Sequence, residues 1–337
     1  MKTKVGINGF GRIGKVALKV WLENERDIDI VAINSTSGPV KHAHIFKYDS
    51  MYGILPQEVV ATDDELRVGD KIIKFTAYKD PAEIPWKEMG VDIVLECSGK
   101  FNSEEGAMKH IQAGAKKVIL SAPPKGGEVL QVVMGVNEDM YDPEKHHVLS
   151  NASCTTNCMA PFVKVLNDEF GVEYGLMTTV HAYTNDQQLL DMPHSDPRRA
   201  RAAALSIIPT TTGAAKAVTK VIPELKGKLN GFALRVPTPV VSVVDLVVEL
   251  KKDSTTEEVN QKLKEASEGK LKGIMGFSEE PLVSIDYKKD SRSSIIDSLS
   301  TMMIGPRMVK VVAWYDNEWG YSERLVDFLS YVAHKGF

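Results

Sequence analysis

The fold of this chain is decided by one stretch near its start, KVGINGFGRIG, at residues 4–14. Its residues 4–8 predict a short buried strand, and the mixed apolar and charged residues after the glycines predict a helix to about Asn24. Residues 28–33, rich in β-branched side chains, predict a second strand. Strand, glycine turn, helix and strand within about thirty residues make a βαβ unit, which favours a parallel sheet.

Three glycines, Gly9, Gly11 and Gly14, have the spacing of a dinucleotide-binding turn. In such a turn the first glycine permits a tight bend, the second lets the backbone approach a pyrophosphate, and the third lets helix and strand pack closely. The helix that follows presents free N–H groups to the anion. An ordinary strand-to-helix turn is the alternative, but the preceding strand and the following helix favour dinucleotide binding.

A site of this kind has an acidic residue about 20 residues further on, which holds the adenosine ribose. The sequence has Asn34 at this place, at the end of the second strand. Without a carboxylate nothing repels a 2′-phosphate, and Ser35, Thr36 and Ser37 could donate hydrogen bonds to one. Alternatively, Asn34 bonds the ribose of NAD. The choice between NAD and NADP is therefore open.

The composition excludes several classes of protein. A length of 337 residues indicates two domains, and a net charge of -4 without a basic block argues against nucleic-acid and membrane partners. Three cysteines are too few for a disulfide framework and match no zinc spacing, so no metal is expected. Because there is neither a signal-peptide pattern nor an apolar span of about 18 residues, we expect a cytoplasmic protein.

Strand and helix patterns alternate up to about residue 150 and less regularly beyond it. The further predicted elements are strands at 91–96, 117–120, 148–149, 176–180, 240–250 and 308–315, and helices at 103–113, 153–170 and 320–335. We predict an α/β protein, with a Rossmann-type doubly wound parallel sheet followed by an α+β domain that has a mainly antiparallel sheet. The boundary between the two is placed near residue 152.

A cysteine cluster lies where a predicted strand gives way to a helix, SNASCTTNC at residues 150–158. A thiol in the first turn of a helix meets the positive end of the helix dipole, which favours the thiolate of Cys154. Cys97 and Cys158 are interpreted as packing residues. A nucleophilic cysteine requires a nearby imidazole, and His181, at a predicted strand exit, is the best candidate of the eight histidines. The other seven are interpreted as surface groups.

Eight blocks of sequence, in order, resemble phosphorylating glyceraldehyde-3-phosphate dehydrogenases of the glycolytic type along nearly the whole chain. The blocks are residues 5–14, 47–50, 121–123, 150–157, 181–184, 209–216, 235–238 and 314–321. The most specific are SCTTN at 153–157 and HAYT at 181–184.

The resemblance implies a two-step reaction. Cys154 would attack the aldehyde of glyceraldehyde 3-phosphate, and His181 would lower the pKa of the thiol and act as base while the hemithioacetal gives hydride to NAD(P). Inorganic phosphate would then cleave the thioester to 1,3-bisphosphoglycerate. The resemblance also implies a homotetramer and a C-terminal helix that packs on the nucleotide domain. The dinucleotide-binding domain would then comprise residues 1–152 and 318–337, and the catalytic domain 153–317.

Particular residues follow from the same resemblance. The substrate phosphate would be held by Thr184 and Arg235, and the attacking phosphate by Ser153, Thr155, Arg199, Thr212 and Gly213. The cofactor would contact Arg12, Ile13, Asn34, Lys79, Ser121 and Asn317 beside the three glycines. The chain departs from the family at Lys79, where arginine is frequent, and at Asn34, where NAD-specific members usually have aspartate. Since Pro193 is typical of NAD-preferring members, we expect NAD use with relaxed discrimination against NADP.

Three other functions are compatible with parts of this pattern. An erythrose-4-phosphate dehydrogenase has similar motifs and a longer substrate. An aspartate-semialdehyde dehydrogenase shares the general plan but would leave the phosphate-site motifs unexplained. A catalytically idle NAD-binding protein could act as a redox sensor through Cys154. The intact set of Cys154, His181, Arg199 and Arg235 argues against the idle protein.

Overall fold

A computed structural model describes residues 2–24 and 26–337 of the chain. The strands are β1 Thr3–Asn8, β2 Ile28–Asn34, β3 Tyr48–Asp49, β4 Gly53–Ile54, β5 Val59–Ala61, β6 Glu65–Val68, β7 Lys71–Thr76, β8 Ile93–Glu96, β9 Lys117–Leu120, β10 Leu130–Gln131, β11 Val148–Ser150, β12 Val172–Ala182, β13 Ile208–Thr211, β14 Leu229–Val236, β15 Ser242–Leu250, β16 Met275–Ser278, β17 Ser294–Asp297, β18 Met302–Ile304 and β19 Met308–Tyr315. The helices are α1 Arg12–Glu23, α2 Pro39–Lys47, α3 Glu104–Gln112, α4 Cys154–Phe170, α5 Ala214–Val221, α6 Thr256–Glu268 and α7 Trp319–Lys335. Short 3-10 turns lie at Pro81–Glu83, Glu138–Met140, Pro223–Leu225, Ser284–Tyr287 and Ser298–Ser300.

The chain divides into two compact units. Unit 1 comprises Met1–Val132, Asp139–Ala152 and Ser322–Phe337, and unit 2 comprises Val133–Glu138 and Ser153–Tyr321.

Unit 1 is built on one sheet with the strand order β10-β11-β9-β8-β1-β2-β7-β6-β5. Neighbours from β10 to β7 are parallel, and β6 and β5 add an antiparallel edge. The order reverses at β1, because the chain continues to β2 on one side and returns to β8 on the other. Ligands of doubly wound sheets bind at such a reversal, beyond the carboxyl ends of the strands. The glycine turn at the end of β1 therefore stands at the expected place.

Unit 2 is built on a mixed sheet with the order β13-β14-β12-β15-β19-β17-β16. Most neighbours are antiparallel, whereas β12–β14 and β16–β17 are parallel. Buried and half-exposed residues alternate along β15, which shows that one face of the sheet packs inward. The buried helix α4 packs on β15, β17 and β19. The two sheets confirm the predicted fold class.

The predicted helices are confirmed where caps mark them. Ser103 accepts a hydrogen bond from the Gly106 N–H at the start of α3, and Ser153 does the same for the Thr156 N–H at the start of α4. The sequence patterns missed α2, α5 and α6, and the strand predicted from residue 240 begins at Ser242. None of the helices in the described parts of the chain has the length and apolar character needed to cross a membrane.

Candidate active site

The glycine turn has the geometry that a bound pyrophosphate requires. Gly9 has φ +93°, and a Cβ there would lie 2.4 Å from the Ser98 nitrogen, so another residue is strained and obstructed. A Cβ on Gly14 would lie 2.4 Å from the Gly9 carbonyl oxygen, which explains the close helix–strand packing. A Cβ on Gly11 would meet nothing within 4 Å, and no side chain caps α1 there. This open, uncapped helix end lies on a cleft of about 470 Å³, so these residues fit a dinucleotide.

The side-chain amide of Asn34 is fully hydrogen-bonded to other residues of unit 1. Its nitrogen donates to Asn8 Oδ1 (2.8 Å) and to the Tyr78 carbonyl oxygen (3.0 Å). Its oxygen accepts from Thr76 Oγ1 and from the Tyr78 N–H, both at 2.9 Å. All four hydrogen-bonding positions of the amide are thus used within unit 1. Asn34 lines the cleft, but we expect the ribose to meet the next side chain, Ser35, which also lines it.

Replacing Asn34 with Asp should therefore destabilise the protein rather than simply restore discrimination against NADP. The new carboxylate oxygen would face the Asn8 and Tyr78 oxygens at a position that is 3% exposed. Asn8 cannot turn its amide to compensate, because its nitrogen donates to Glu96. We expect a loss of about 2–3 kcal/mol in the free energy of unfolding, measured by urea denaturation. The control Ser35→Asp, at a half-buried position, should lose clearly less, and equal stability of Asn34→Asp and wild type would contradict the prediction.

The other predicted cofactor contacts are spread over both units. Arg12 begins α1, and its Nη1 donates to Asp49 Oδ2 at 2.8 Å. Ile13 is partly exposed in the same turn, Lys79 is exposed and lines the cleft, and Ser121 is half-buried just after β9. Asn317 belongs to unit 2, where its Oδ1 accepts a hydrogen bond of 3.0 Å from Ser242 Oγ.

In unit 2 the structure brings the two predicted catalytic side chains together. The cap formed by Ser153 starts α4 at Cys154, which places the sulfur at a helix N-terminus. Cys154 Sγ lies 3.5 Å from His181 Nε2, and His181 Nδ1 lies 2.6 Å from the Ala182 carbonyl oxygen. That carbonyl holds the hydrogen on Nδ1, so the lone pair of Nε2 is directed at the sulfur. The residue before the cap, Ala152, is fully buried and has φ +52°, a strained conformation of the kind found beside functional groups.

Burial and the charge of Arg235 shift the pKa values of both members of this pair. Burial first, and then the charge of Arg235, lower the pKa of His181 to about 3, so the imidazole is neutral at physiological pH. Burial raises the pKa of the Cys154 thiol, and Arg235 opposes this rise. Burial of the thiol therefore opposes the thiolate that the helix N-terminus and Arg235 favour at Cys154. A thiol that keeps its proton must lose it as the sulfur attacks, and the neutral Nε2 of His181 is the acceptor beside it.

Arg235 is packed against the imidazole. Residue 235 stands opposite residue 181 in the parallel pair β12–β14. Its Nη1 lies 3.0 Å from His181 Nδ1 and donates to the Ala182 carbonyl oxygen (3.1 Å) and to Thr184 Oγ1 (3.3 Å). Arg235 and Thr184, the predicted ligands of one phosphate, are thus in contact beside the catalytic pair.

Arg199 is held in place by an acidic partner that the sequence did not indicate. Its Nη1 donates to Asp186 Oδ2 at 2.6 Å, its Nε to Thr210 Oγ1 at 2.9 Å, and its Nη2 to the Thr211 carbonyl oxygen at 3.0 Å. Burial first, and then the charge of Arg199, lower the pKa of Arg235. The two guanidinium groups therefore act on one another within one electropositive site.

The remaining predicted phosphate ligands lie at helix ends or in the buried layer. Gly213 precedes the first residue of α5, and Thr212 Oγ1 accepts a hydrogen bond of 3.2 Å from the Ala214 N–H. Thr155 is buried, and its Oγ1 lies 2.8 Å from the Tyr315 hydroxyl.

Tyr315 is a site residue that the sequence analysis missed. Its hydroxyl also lies 3.0 Å from Thr179 Oγ1, and its ring stands edge-on to the His181 ring, with centroids 6.0 Å apart. Burial raises the pKa of its hydroxyl well above the ordinary value, so Tyr315 stays neutral and packs the base in place. The sequence signal that could have found it is the apolar residue at every second position of β19, namely Val309, Val311, Ala313 and Tyr315.

Two histidines that we expected on the surface are buried. His42 is 8% and His110 0% exposed. His110 Nε2 lies 3.0 Å from Glu96 Oε2, and its Nδ1 accepts from Trp86 Nε1 at 2.9 Å. The expectation was wrong because both histidines lie among the buried residues of their helices, although charged residues are next to them in the sequence. Cys158, in contrast, is fully buried, as expected of a packing residue.

Comparisons with known proteins agree with this geometry. Residues 3–104 match the family model described as "Glyceraldehyde 3-phosphate dehydrogenase, NAD binding domain", and residues 153–317 match "Glyceraldehyde 3-phosphate dehydrogenase, C-terminal domain". The chain is 61% identical to glyceraldehyde-3-phosphate dehydrogenase of Geobacillus stearothermophilus over 336 residues, with 100% of both chains covered. It is 59% identical to glyceraldehyde-3-phosphate dehydrogenase 1 of Bacillus subtilis, again over 100% of both. It is 54% identical to glyceraldehyde-3-phosphate dehydrogenase of Streptomyces coelicolor, and the match covers 99% of this chain and 100% of the relative. The chain therefore belongs to the glyceraldehyde 3-phosphate dehydrogenase family.

Proposed function

We propose that this protein is an NAD-dependent dehydrogenase that oxidises and phosphorylates glyceraldehyde 3-phosphate to 1,3-bisphosphoglycerate. One observation carries the proposal: the Cys154 sulfur lies 3.5 Å from a neutral imidazole nitrogen of His181, beside Arg235. Family membership supports the same activity, substrate and cofactor.

The reaction begins with proton transfer inside the pair. As Cys154 Sγ forms a bond to the aldehyde carbon, His181 Nε2 takes the thiol proton and passes it to the carbonyl oxygen, which completes the hemithioacetal and leaves the imidazole neutral again. Because His181 is neutral, the lone pair of its Nε2 is free to accept this proton from the sulfur 3.5 Å away.

Oxidation then converts the hemithioacetal into a thioester on Cys154. NAD, when bound, supplies the hydride acceptor for this step. The hydroxyl proton of the hemithioacetal must leave at the same time, and His181 is the base positioned to take it. The thioester retains the free energy of aldehyde oxidation.

Phosphate completes the cycle. An oxygen of inorganic phosphate attacks the thioester carbon, the C–S bond breaks, and the leaving sulfur takes the proton from His181, which restores the Cys154 thiol and the neutral imidazole. Arg235 with Thr184, and Arg199 with Thr212 and Gly213, supply the donors for the two anions, since guanidinium groups present a planar fork that stays charged. Asp186 keeps Arg199 in position until phosphate binds.

The activity is tested by NADH formation from glyceraldehyde 3-phosphate with and without inorganic phosphate. We expect rapid turnover only with phosphate. A preference for erythrose 4-phosphate would favour an erythrose-4-phosphate dehydrogenase. If neither aldehyde led to reduction of NAD, a catalytically idle NAD-binding sensor would be the remaining alternative. Under this proposal, unit 1 binds the dinucleotide and unit 2 carries the catalysis.

We further propose that the protein is a homotetramer. Unit 2 exposes an apolar face of its sheet, where Tyr174 is 61% and Leu176 69% exposed, and Met308 lines the same shallow cleft of about 630 Å³. An exposed apolar patch of this kind fits a second copy of the chain. Three unpaired cysteines, one of them nucleophilic, suit the reducing cytoplasm, where we place the protein.

Replacing Leu176 with Glu should break the assembly. A carboxylate on this face must be desolvated when the two copies meet, which we expect to weaken association by at least about tenfold. Light scattering coupled to size-exclusion chromatography should show a smaller mass than for the wild type. The control Ile72→Glu, on an exposed strand position of unit 1, should leave the mass unchanged. An unchanged mass for Leu176→Glu would contradict the proposed interface.

A further inference from the structure

A buried lysine lies behind the cofactor cleft of unit 1 and is not used by the reaction above. Lys15, on α1, is 5% exposed; its ammonium group donates to the Phe10 carbonyl oxygen and lies 3.0 Å from His42 Nδ1. His42, on α2, lines the cleft, and its Nε2 lies 2.9 Å from Ser35 Oγ. Lys15, His42 and Ser35 thus form a continuous hydrogen-bonded chain, called here the Lys15–His42–Ser35 relay.

The chemistry of the three groups fixes the direction of the relay. A lysine ammonium group can only donate, so His42 Nδ1 accepts and the ring hydrogen is on Nε2. Nε2 therefore donates to Ser35 Oγ, and the hydroxyl hydrogen of Ser35 is left to donate elsewhere. Burial and the charge of Lys15 lower the pKa of His42 to about 4, which keeps the ring neutral in this arrangement.

The charges around Lys15 favour an anion. Arg12, Lys15 and Lys19 follow one face of α1, and one carboxylate, Asp49, bonds Arg12 (2.8 Å) and Lys19 (2.9 Å). Lys15 bonds neutral groups instead. Burial, followed by the charges of Arg12 and Lys19, lowers the pKa of Lys15 to about 8, against the weaker opposing effect of Asp49. An anion in the cleft would relieve this excess of positive charge.

The position of Ser35 indicates which anion this is. Ser35 directly follows β2, where a doubly wound sheet holds the adenosine ribose, and the Asn34 amide before it has no hydrogen-bonding position left. We propose that Lys15 and His42 are positioning residues that make Ser35 a donor to a phosphate group on the adenosine ribose, so that the protein accepts NADP as well as NAD. This inference rests on the proposed use of a nicotinamide dinucleotide.

Binding of two fragments separates this inference from catalysis. Isothermal titration calorimetry of the full chain with adenosine 2′,5′-bisphosphate and with 5′-AMP measures the contribution of the 2′-phosphate directly. The wild type should bind the bisphosphate at least as tightly as 5′-AMP. In His42→Leu and in Lys15→Met, the affinity for the bisphosphate relative to 5′-AMP should fall about tenfold, since a hydrogen bond to a charged group is lost.

A conservative variant and a matched control make the test specific. His42→Gln should restore most of the ratio, because its amide oxygen can accept from Lys15 while its nitrogen donates to Ser35. His44→Leu, at an exposed position on the same helix, should keep the wild-type ratio. Ser35→Ala should lose the preference as His42→Leu does, and retained 5′-AMP binding shows that each variant is folded.

The outcomes are distinct. Wild-type binding of the bisphosphate more than about tenfold weaker than that of 5′-AMP would overturn the inference. Equal ratios in His42→Leu and His42→Gln would do so as well. Bisphosphate binding that depends on His42 supports the inference even if no aldehyde is oxidised, a result that would count against the proposed function alone.

Discussion

Replacing Cys154 with Ser is expected to lower kcat for NAD reduction by at least about 10⁴-fold, with the fold intact. A serine hydroxyl at this position is a far weaker acid than a thiol, so His181 cannot generate the nucleophile, and an oxygen ester would not pass its acyl group to phosphate as a thioester does. Steady-state kinetics with glyceraldehyde 3-phosphate, phosphate and NAD measures the effect.

The matched control is Cys158→Ser, one turn further along α4. Cys158 is buried beside Ser294 and the Ala313 carbonyl, and burial raises the pKa of its thiol, which makes it inert. Its replacement should change stability more than turnover. Comparable activity losses in the two variants would mean that Cys154 acts by packing and not as the nucleophile.

Replacing His181 with Gln is expected to lower kcat/KM at pH 7 by about 10²–10⁴-fold, the usual contribution of a general base. The size of the loss should depend on pH. Without the base, attack needs a thiolate formed by bulk solvent, and burial raises the pKa of the Cys154 thiol above its ordinary value. The rate of the variant should therefore rise about tenfold per pH unit between pH 7 and 9.

The wild type should show a different profile. Because burial and Arg235 lower the pKa of His181 to about 3, its activity should show no break near pH 6.5, where an ordinary histidine titrates. The exposed His334 provides the control His334→Gln, which should follow the wild-type profile. If His181→Gln and the wild type had parallel pH profiles, His181 would not be the base.

The sequence predicted those features that depend on local patterns. The βαβ unit, the glycine turn and the helix that begins near Ser153 each need only neighbouring residues, and the structure has all of them. The residue patterns gave His181 only as the best candidate partner of Cys154, and the family resemblance supplied the pairing, because residues 27 positions apart meet only through tertiary packing.

What the sequence did not predict depends on contacts across the chain. The full hydrogen bonding of the Asn34 amide requires Tyr78, which is 44 positions away. The ion pair of Arg199 requires Asp186, which lies on the same irregular loop. The region 39–76, with α2 and several short strands, lacks a clear period. The effect of burial on the pKa of Cys154 was not predicted either, because the helix end is visible in the sequence, whereas the degree of burial is not.

The central claim, that the acyl group is carried by Cys154 as a thioester, can be measured directly. The protein is mixed with glyceraldehyde 3-phosphate and NAD without inorganic phosphate, quenched in acid, digested and analysed by mass spectrometry. We predict a 3-phosphoglyceroyl group on the peptide that contains Cys154, absent from Cys154→Ser and removed when phosphate is added before the quench. An unmodified Cys154 peptide, from protein that has formed one equivalent of NADH, would contradict the account.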